Sequence, residues 1–99
     1  MTERTVLEAE WLRLTREELP ALAASRGWPI RFDHCFQRVL LDAAYDGCWY
    51  DHVRERPAYR HAAAEKLSRA VGLARAVADG RADLPELNRQ SLRWRGKAA

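Results

Sequence analysis

The sequence predicts an all-α protein, a compact single-domain bundle of four to five helices. Three observations carry that expectation. Apolar residues recur at three- and four-residue spacing along nearly the whole chain. No run of four or more residues alternates cleanly between apolar and polar, and β-branched residues are few. Gly27, Pro29, Gly47, Pro57 and Gly80 fall between the periodic segments, where helices stop.

The first helix is expected over roughly Thr5 to Arg13, with Val6, Leu7 and Trp11 on one side. The second follows Thr15. "TREE" has the form of a capping box, in which the Thr15 hydroxyl accepts from the Glu18 backbone and the Glu18 carboxylate reaches back. Pro20 would remove one hydrogen bond from a helix starting at Arg16, so a start near Leu19 is the alternative. Leu22 and Ala23 face inward, Gly27 is a left-handed cap, and Pro29 makes the stop firm.

The third helix, from Arg31 or Phe32 to Tyr45, is the expected centre of the bundle. Phe32, Cys35, Phe36, Val39, Leu40, Ala43 and Ala44 fall on one apolar face, and Asp33 sits in the first turn, where the helix dipole favours an anion. Gly47 breaks this helix, and "CWYDHV" becomes a short turn. The fourth helix runs from Ala58 or His61 to Asp79. Its stripe is Ala63, Leu67, Ala70, Val71, Ala74, Val77 and Ala78, with a Glu65–Arg69 pair on the other side. Gly72 inside it permits close approach of another helix, at a cost of ~1 kcal/mol. The fifth begins after Asp83, a good N-cap, with Pro85 in the first turn and Leu84, Leu87 and Leu92 as apolar contacts. Residues 95–99 read as a frayed tail.

Length and composition narrow the class. Ninety-nine residues allow one small domain, 1–99, and a hydrophobic content of 47% supports a core. A chain this short buries only about 60–65% of its unfolded surface, so a protein partner or self-association is a natural supplement. The net charge is +3, with Lys66 and Lys97 the only lysines. Arginine suits bidentate contacts to carboxylate or phosphate. Two cysteines in an Ala- and Arg-rich helical chain do not make a secreted disulfide scaffold. No apolar run approaches the roughly 20 residues of a membrane span, and the N-terminus shows no secretory h-region. The expectation is a cytoplasmic protein with no membrane partner.

Two groups of residues are candidates for chemistry. On the third helix His34, Arg38 and Asp42 stand at i, i+4 and i+8 and make a polar line opposite the apolar face. If the following turn is helical, Cys48 and His52 share a side with Asp51 beside them. An acid, a base and a guanidinium on one surface could bind an anion or move a proton. The bland alternative is a solvated helix face with an Arg38–Asp42 pair. The second group is Arg89, Arg93, Trp94 and Arg95 near the C-terminus, a basic-aromatic patch of the kind that meets nucleic acid or a partner. There the alternative is an inward Trp94 and solubilising arginines.

Other chemistries fit less well. Cys35, Cys48, His52 and His61 could supply four zinc ligands, but neither CxxC nor HxxxH spacing is present and Cys35 lies on the apolar face. No metal or cofactor is expected. A helix-turn-helix outline around Gly27 fails at Asp33, which stands where a buried aliphatic is needed. The expected function is a small non-enzymatic binding or adaptor module, using an Arg- and aromatic-rich face to engage an anionic or protein partner. A nucleic-acid-binding regulator is one alternative. A small enzyme or enzyme accessory domain built on the His/Arg/Asp/Cys cluster is the other.

Overall fold

The computed structural model describes residues 3–96. The chain runs α1 (Glu3–Arg13), a π-helical turn (Leu14–Glu18), α2 (Leu19–Arg26), α3 (Asp33–Tyr45), a 3-10 turn (Trp49–Asp51), α4 (Ala58–His61), α5 (Ala64–Ala78) and α6 (Leu84–Trp94). No strand occurs among the described residues. The radius of gyration is 12.7 Å, against about 13 Å for a folded domain of this size. The fold is the compact helical bundle that the periodicity predicts.

The first two helices are continuous, which corrects the expected boundary at Thr15. Thr15 is fully buried, and its hydroxyl donates back to the Trp11 carbonyl at 2.8 Å instead of capping a new helix. The backbone widens to π register, with the Leu19 N–H reaching the Leu14 carbonyl. The wide turn lies just before Pro20, which has no N–H to give and whose ring would crowd an α-register carbonyl. Gly27 ends the helix at φ 64, as expected. The Arg26 guanidinium then donates to the Val77 and Ala78 carbonyls, satisfying the exposed end of α5.

α3 is the hub, packed against α5, α6, α2, the π turn and the 3-10 turn. Phe36, Val39, Leu40, Leu41, Asp42, Ala43 and Ala44 are all buried, so its burial covers more than one face. Two expectations fail here. Phe32 precedes the helix in extended conformation and is 65% exposed, stacked on His34, so it is not part of the core face. Asp42 is not on a solvated line: it is 0% exposed, because α6 packs over that side.

The predicted fourth helix is two. Ala62 and Ala63 are extended, and they separate α4 from α5. Alanine propensity is overridden there by tertiary contacts: Ala62 is buried, and the Ala63 N–H reaches the Tyr45 hydroxyl at 3.4 Å. Leu67, Ala70, Val71, Ala74 and Val77 form the buried stripe of α5. Gly72 is exposed and has nothing within 4 Å of a built Cβ, so no helix approaches it. Asp83 caps α6 as expected, accepting from the Glu86 N–H at 3.1 Å, with Leu84 buried behind it.

One core unites these elements: Trp11, Leu14, Leu19, Phe36, Val39, Leu40, Leu67, Val77 and Leu84 are each at most 1% exposed. No helix among the described residues is long and apolar enough to cross a membrane. Of the expected tail, residues 97–99 lie outside the described residues. Arg95 and Gly96 are ordered at the end of α6, and Arg95 is turned inward.

Candidate functional site

The candidate polar residues divide between a buried network and an open cavity, with α3 contributing to both. Arg38 and Asp42 stand one turn apart on α3, facing Asn88, Ser91 and Arg95, which share one side of α6 and its cap. Arg38 donates through Nη1 to Ser91 Oγ and through Nη2 to Asn88 Oδ1, both at 2.8 Å. Ser91 Oγ in turn donates to Asp42 Oδ2 at 2.6 Å. Arg95 clamps the same carboxylate, Nε to Oδ2 at 2.8 Å and Nη2 to Oδ1 at 3.1 Å. The Trp49 N–H reaches Oδ1 at 2.9 Å. A carboxylate has about four acceptor sites, and Asp42 has all four filled.

This arrangement locks two helices and the 3-10 turn together. The hydrogen bond to the Asp42 carboxylate raises the Arg95 guanidinium above its ordinary range. The Arg95 guanidinium carbon also lies 4.9 Å from the Tyr50 ring centroid. Contact with Cys48 raises the Tyr50 phenol above its ordinary value. Cys48 itself is buried, its thiol donating to the Trp94 carbonyl at 3.6 Å. Asp42 and Cys48 are thus buried within these contacts.

The other sequence candidates lie elsewhere. His34 is 77% exposed, stacked on Phe32 and 3.6 Å from Asp33. His52 is exposed and stacked on the Tyr45 ring at 4.9 Å, and Asp51 is exposed in the turn before it. His34, Asp42 and His52 therefore have separate surroundings rather than one shared pocket. Among the described residues no group of three or more His, Cys, Asp or Glu is gathered as a metal ion would need.

The C-terminal patch is less basic than its composition suggests. Arg89 pairs with Glu86 at 2.8 Å, and Arg93 pairs with the same carboxylate at 3.0 Å. Hydrogen bonds from Arg93 and then Arg89 hold Glu86 below the usual carboxylate range. Arg95 faces Asp42, and Trp94 is half-buried. On the patch that the spacing predicts, one carboxylate thus offsets one of the two charges of Arg89 and Arg93.

Sequence reasoning missed a cavity of about 250 Å³ between the first helix, α3 and the segment leading into α4. Its apolar wall is Trp11, Leu41, Trp49, Pro57, Ala58 and Tyr59. Its polar groups are His34, Gln37, Arg38 and Arg56. No carboxylate lines it. The lining is graded: Trp11 and Leu41 are buried, Gln37, Arg38, Trp49 and Tyr59 are half-buried, and His34, Arg56 and Pro57 are exposed. Arg56 and His34 thus lie on the exposed side of the lining, and Trp11 and Leu41 on the buried side.

Two features of this cavity bear on binding. Arg56 lies over the Trp49 ring, its guanidinium carbon 4.5 Å from the centroid, and forms no ion pair among the described residues. Trp11 is fully buried, yet its Nε1–H has no hydrogen-bond partner; it is the only such buried side-chain atom among the described residues. An unsatisfied buried donor costs about 1–3 kcal/mol. Neighbouring Thr15 accepts from Gln37 Nε2 at 3.0 Å, which fixes the amide beside the cavity. The signal in the sequence was faint: Trp11, Trp49 and Tyr59 are far apart along the chain, and only the tertiary fold joins them. Compared with known proteins, the chain matches no family model, no curated protein and no solved structure.

Proposed function

We propose that this chain is a small non-enzymatic binding module that engages an anionic group of its partner at the cavity mouth. One observation carries the reading: Arg56 and Arg38 border a cavity walled by Trp11, Trp49 and Tyr59, and no carboxylate lines that cavity. Some surface arginines are compensated, as with Arg13 and Arg75 on Glu10 and Arg89 and Arg93 on Glu86; Arg31, Arg54 and Arg60, like Arg56, form no ion pair among the described residues, and Arg56 differs from those three in lying over the Trp49 ring at the cavity. An arginine stacked on tryptophan and without a counter-ion is prepared for a carboxylate or phosphate, since its planar fork stays available for bidentate contact. The nucleic-acid alternative is weakened because Glu86 offsets one of the two charges of Arg89 and Arg93 and Arg95 is turned inward to Asp42. The enzyme alternative loses its support when His34, Asp42 and His52 have separate surroundings.

The test is a titration of ¹⁵N-labelled protein with benzoate and with its neutral isostere benzamide. Benzoate shifts the Trp49 indole and Arg56 signals, benzamide does so far more weakly, and Arg56→Gln weakens benzoate binding about two- to five-fold. Raising the salt from about 0.01 M to about 1 M shortens the screening length roughly ten-fold and weakens the benzoate response. Equal responses to acid and amide at low salt would sink the reading.

A further inference from the structure

Two kinds of exposed residue gather around the cavity, and neither is explained by the fold. The first is unpaired arginine. Among the described residues Arg31, Arg54, Arg56 and Arg60 neither pair with a carboxylate nor donate a hydrogen bond. Arg56 lines the cavity, and Arg54 and Arg60 bracket the stretch from Arg56 to Tyr59 that forms one wall of it. Arg31 adjoins Phe32, whose ring stacks on the lining residue His34 with 5.9 Å between centroids. Arg54 and Arg60 stand one or two residues from the lining. With a screening length of about 10 Å, their charges add to the field at the cavity without touching it. Asp51 and Glu55, exposed in the same stretch, offset part of that field and leave it positive.

The second is exposed aromatic surface. Val6, Phe32 and Tyr50 are the large apolar residues that stand exposed among the described residues. Two of the three touch the cavity lining. Phe32, 65% exposed, does so through His34, and Tyr50, 44% exposed, meets the Trp49 ring edge-on at 5.9 Å. The cavity therefore lies within one aromatic patch, rimmed by cations. Contact surfaces are enriched in aromatics and arginine, and their binding energy concentrates where one anchor fills a pocket.

We infer that the cavity and its aromatic rim dock an acidic peptide segment of a partner protein, with one single-ring aromatic side chain seated in the cavity and carboxylates facing the arginines. The inference rests on the proposed anion-binding role of the mouth and names the partner. Charge complementarity selects an acidic segment, and no carboxylate lines the cavity to repel it. The volume, about 250 Å³, lies below the roughly 300–1,000 Å³ of drug-sized sites and suits one side chain. Leu41, Pro57 and Ala58 ask no hydrogen bond of a phenyl ring, and Trp49 and Tyr59 offer it edge-to-face contact. A nucleobase fits less well, because its N–H donors need acceptors that this mainly apolar wall supplies sparingly. Its strand also brings a phosphate per nucleotide past Asp51 and Glu55.

The test is a short blocked peptide of aspartate, glutamate and glycine around one central phenylalanine, titrated into ¹⁵N-labelled protein. It binds and moves the Trp49 indole signal and the Phe32 and Tyr50 amide signals. Exchanging its phenylalanine for alanine weakens binding about ten-fold or more. Exchanging its acids for their amides weakens it and removes its salt dependence. Arg54→Gln combined with Arg60→Gln weakens the peptide about two- to five-fold, and more than it weakens benzoate. Equal affinity for the phenylalanine and alanine peptides, or no binding of either while benzoate binds, overturns the inference and leaves the anion-binding reading standing. Tighter binding of an oligothymidylate of the same charge also overturns it, making the partner a nucleic acid. Absence of binding by peptide and benzoate alike overturns the two together.

Discussion

Arg95 holds Asp42 in a bidentate grip, Nε to Oδ2 at 2.8 Å and Nη2 to Oδ1 at 3.1 Å, from the cap of one helix to the last turn of another. The carboxylate is 0% exposed and the guanidinium side chain 17% exposed. Breaking such a pair from one side strands a buried charge, which costs about 3–5 kcal/mol. Arg95→Ala belongs at the low end of that range, since Ser91 and the Trp49 N–H still meet the carboxylate. Urea denaturation should show a loss of about 3 kcal/mol for Arg95→Ala. Replacing both residues with leucine should cost less than Arg95→Ala alone, because no charge is then left unpaired. A loss below about 1 kcal/mol for the single variant would place the pair among ordinary surface ion pairs.

The same contact shows how far the sequence could be read. Helix type and order were legible, because Leu67, Ala70, Val71, Ala74 and Val77 repeat at helical spacing and Asp83 and Gly27 mark ends by local chemistry. Asp42 was misread because periodicity on one helix cannot tell which other helix covers its polar side. A signal did exist on α6. Asn88, Ser91 and Arg95 fall at i, i+3 and i+7, a polar stripe matching the Arg38–Asp42 pair on α3. The break at Ala62 and Ala63 and the inward Trp11 of the cavity depend on contacts between distant segments. No window of the sequence contains both sides of those contacts.

Thr15 ties the π turn to α3 through one hydroxyl, which donates to the Trp11 carbonyl and accepts from Gln37. Thr15→Val keeps the shape and removes both bonds. The Gln37 amide is half-buried and finds water in the variant, so the loss should be modest, about 1–2 kcal/mol in chemical denaturation. Gln37→Ala should cost less than Thr15→Val, because the hydroxyl keeps its bond to the Trp11 carbonyl. The reverse order would show that the Gln37 amide, rather than the hydroxyl, anchors the turn.

Gly72 lies mid-helix in α5, exposed, with open space where a side chain would stand. Its backbone is helical and needs no left-handed freedom, unlike Gly27 and Gly80 at φ 64 and 81. Gly72→Ala should therefore stabilise the protein by about 1 kcal/mol, through helix propensity and a less flexible unfolded chain. A midpoint of urea unfolding unchanged or lower than wild type would show that something packs against this face in solution.

Glu10 links α1 to α5 through Arg75 at 2.7 Å and is held by Arg13 at 2.6 Å on its own helix. The hydrogen bond from Arg13, then that from Arg75, lowers its pKa below the ordinary value of 4.5. A carboxyl with a lower pKa folded than unfolded contributes stability that is complete above the unfolded value. That stability is lost as the pH falls through the folded value. Stability should thus decline as the pH falls below 4.5, the ordinary value for this group. Both arginines are about half exposed, so the contribution is that of a surface pair, up to about 1 kcal/mol. Glu10→Gln should lower stability slightly at neutral pH and flatten the acid decline, so that the two proteins converge in acid. Urea midpoints measured across that range check the sign: a wild type less stable than Glu10→Gln at neutral pH would mean that Glu10 is destabilising when ionised, against the direction its arginine partners impose.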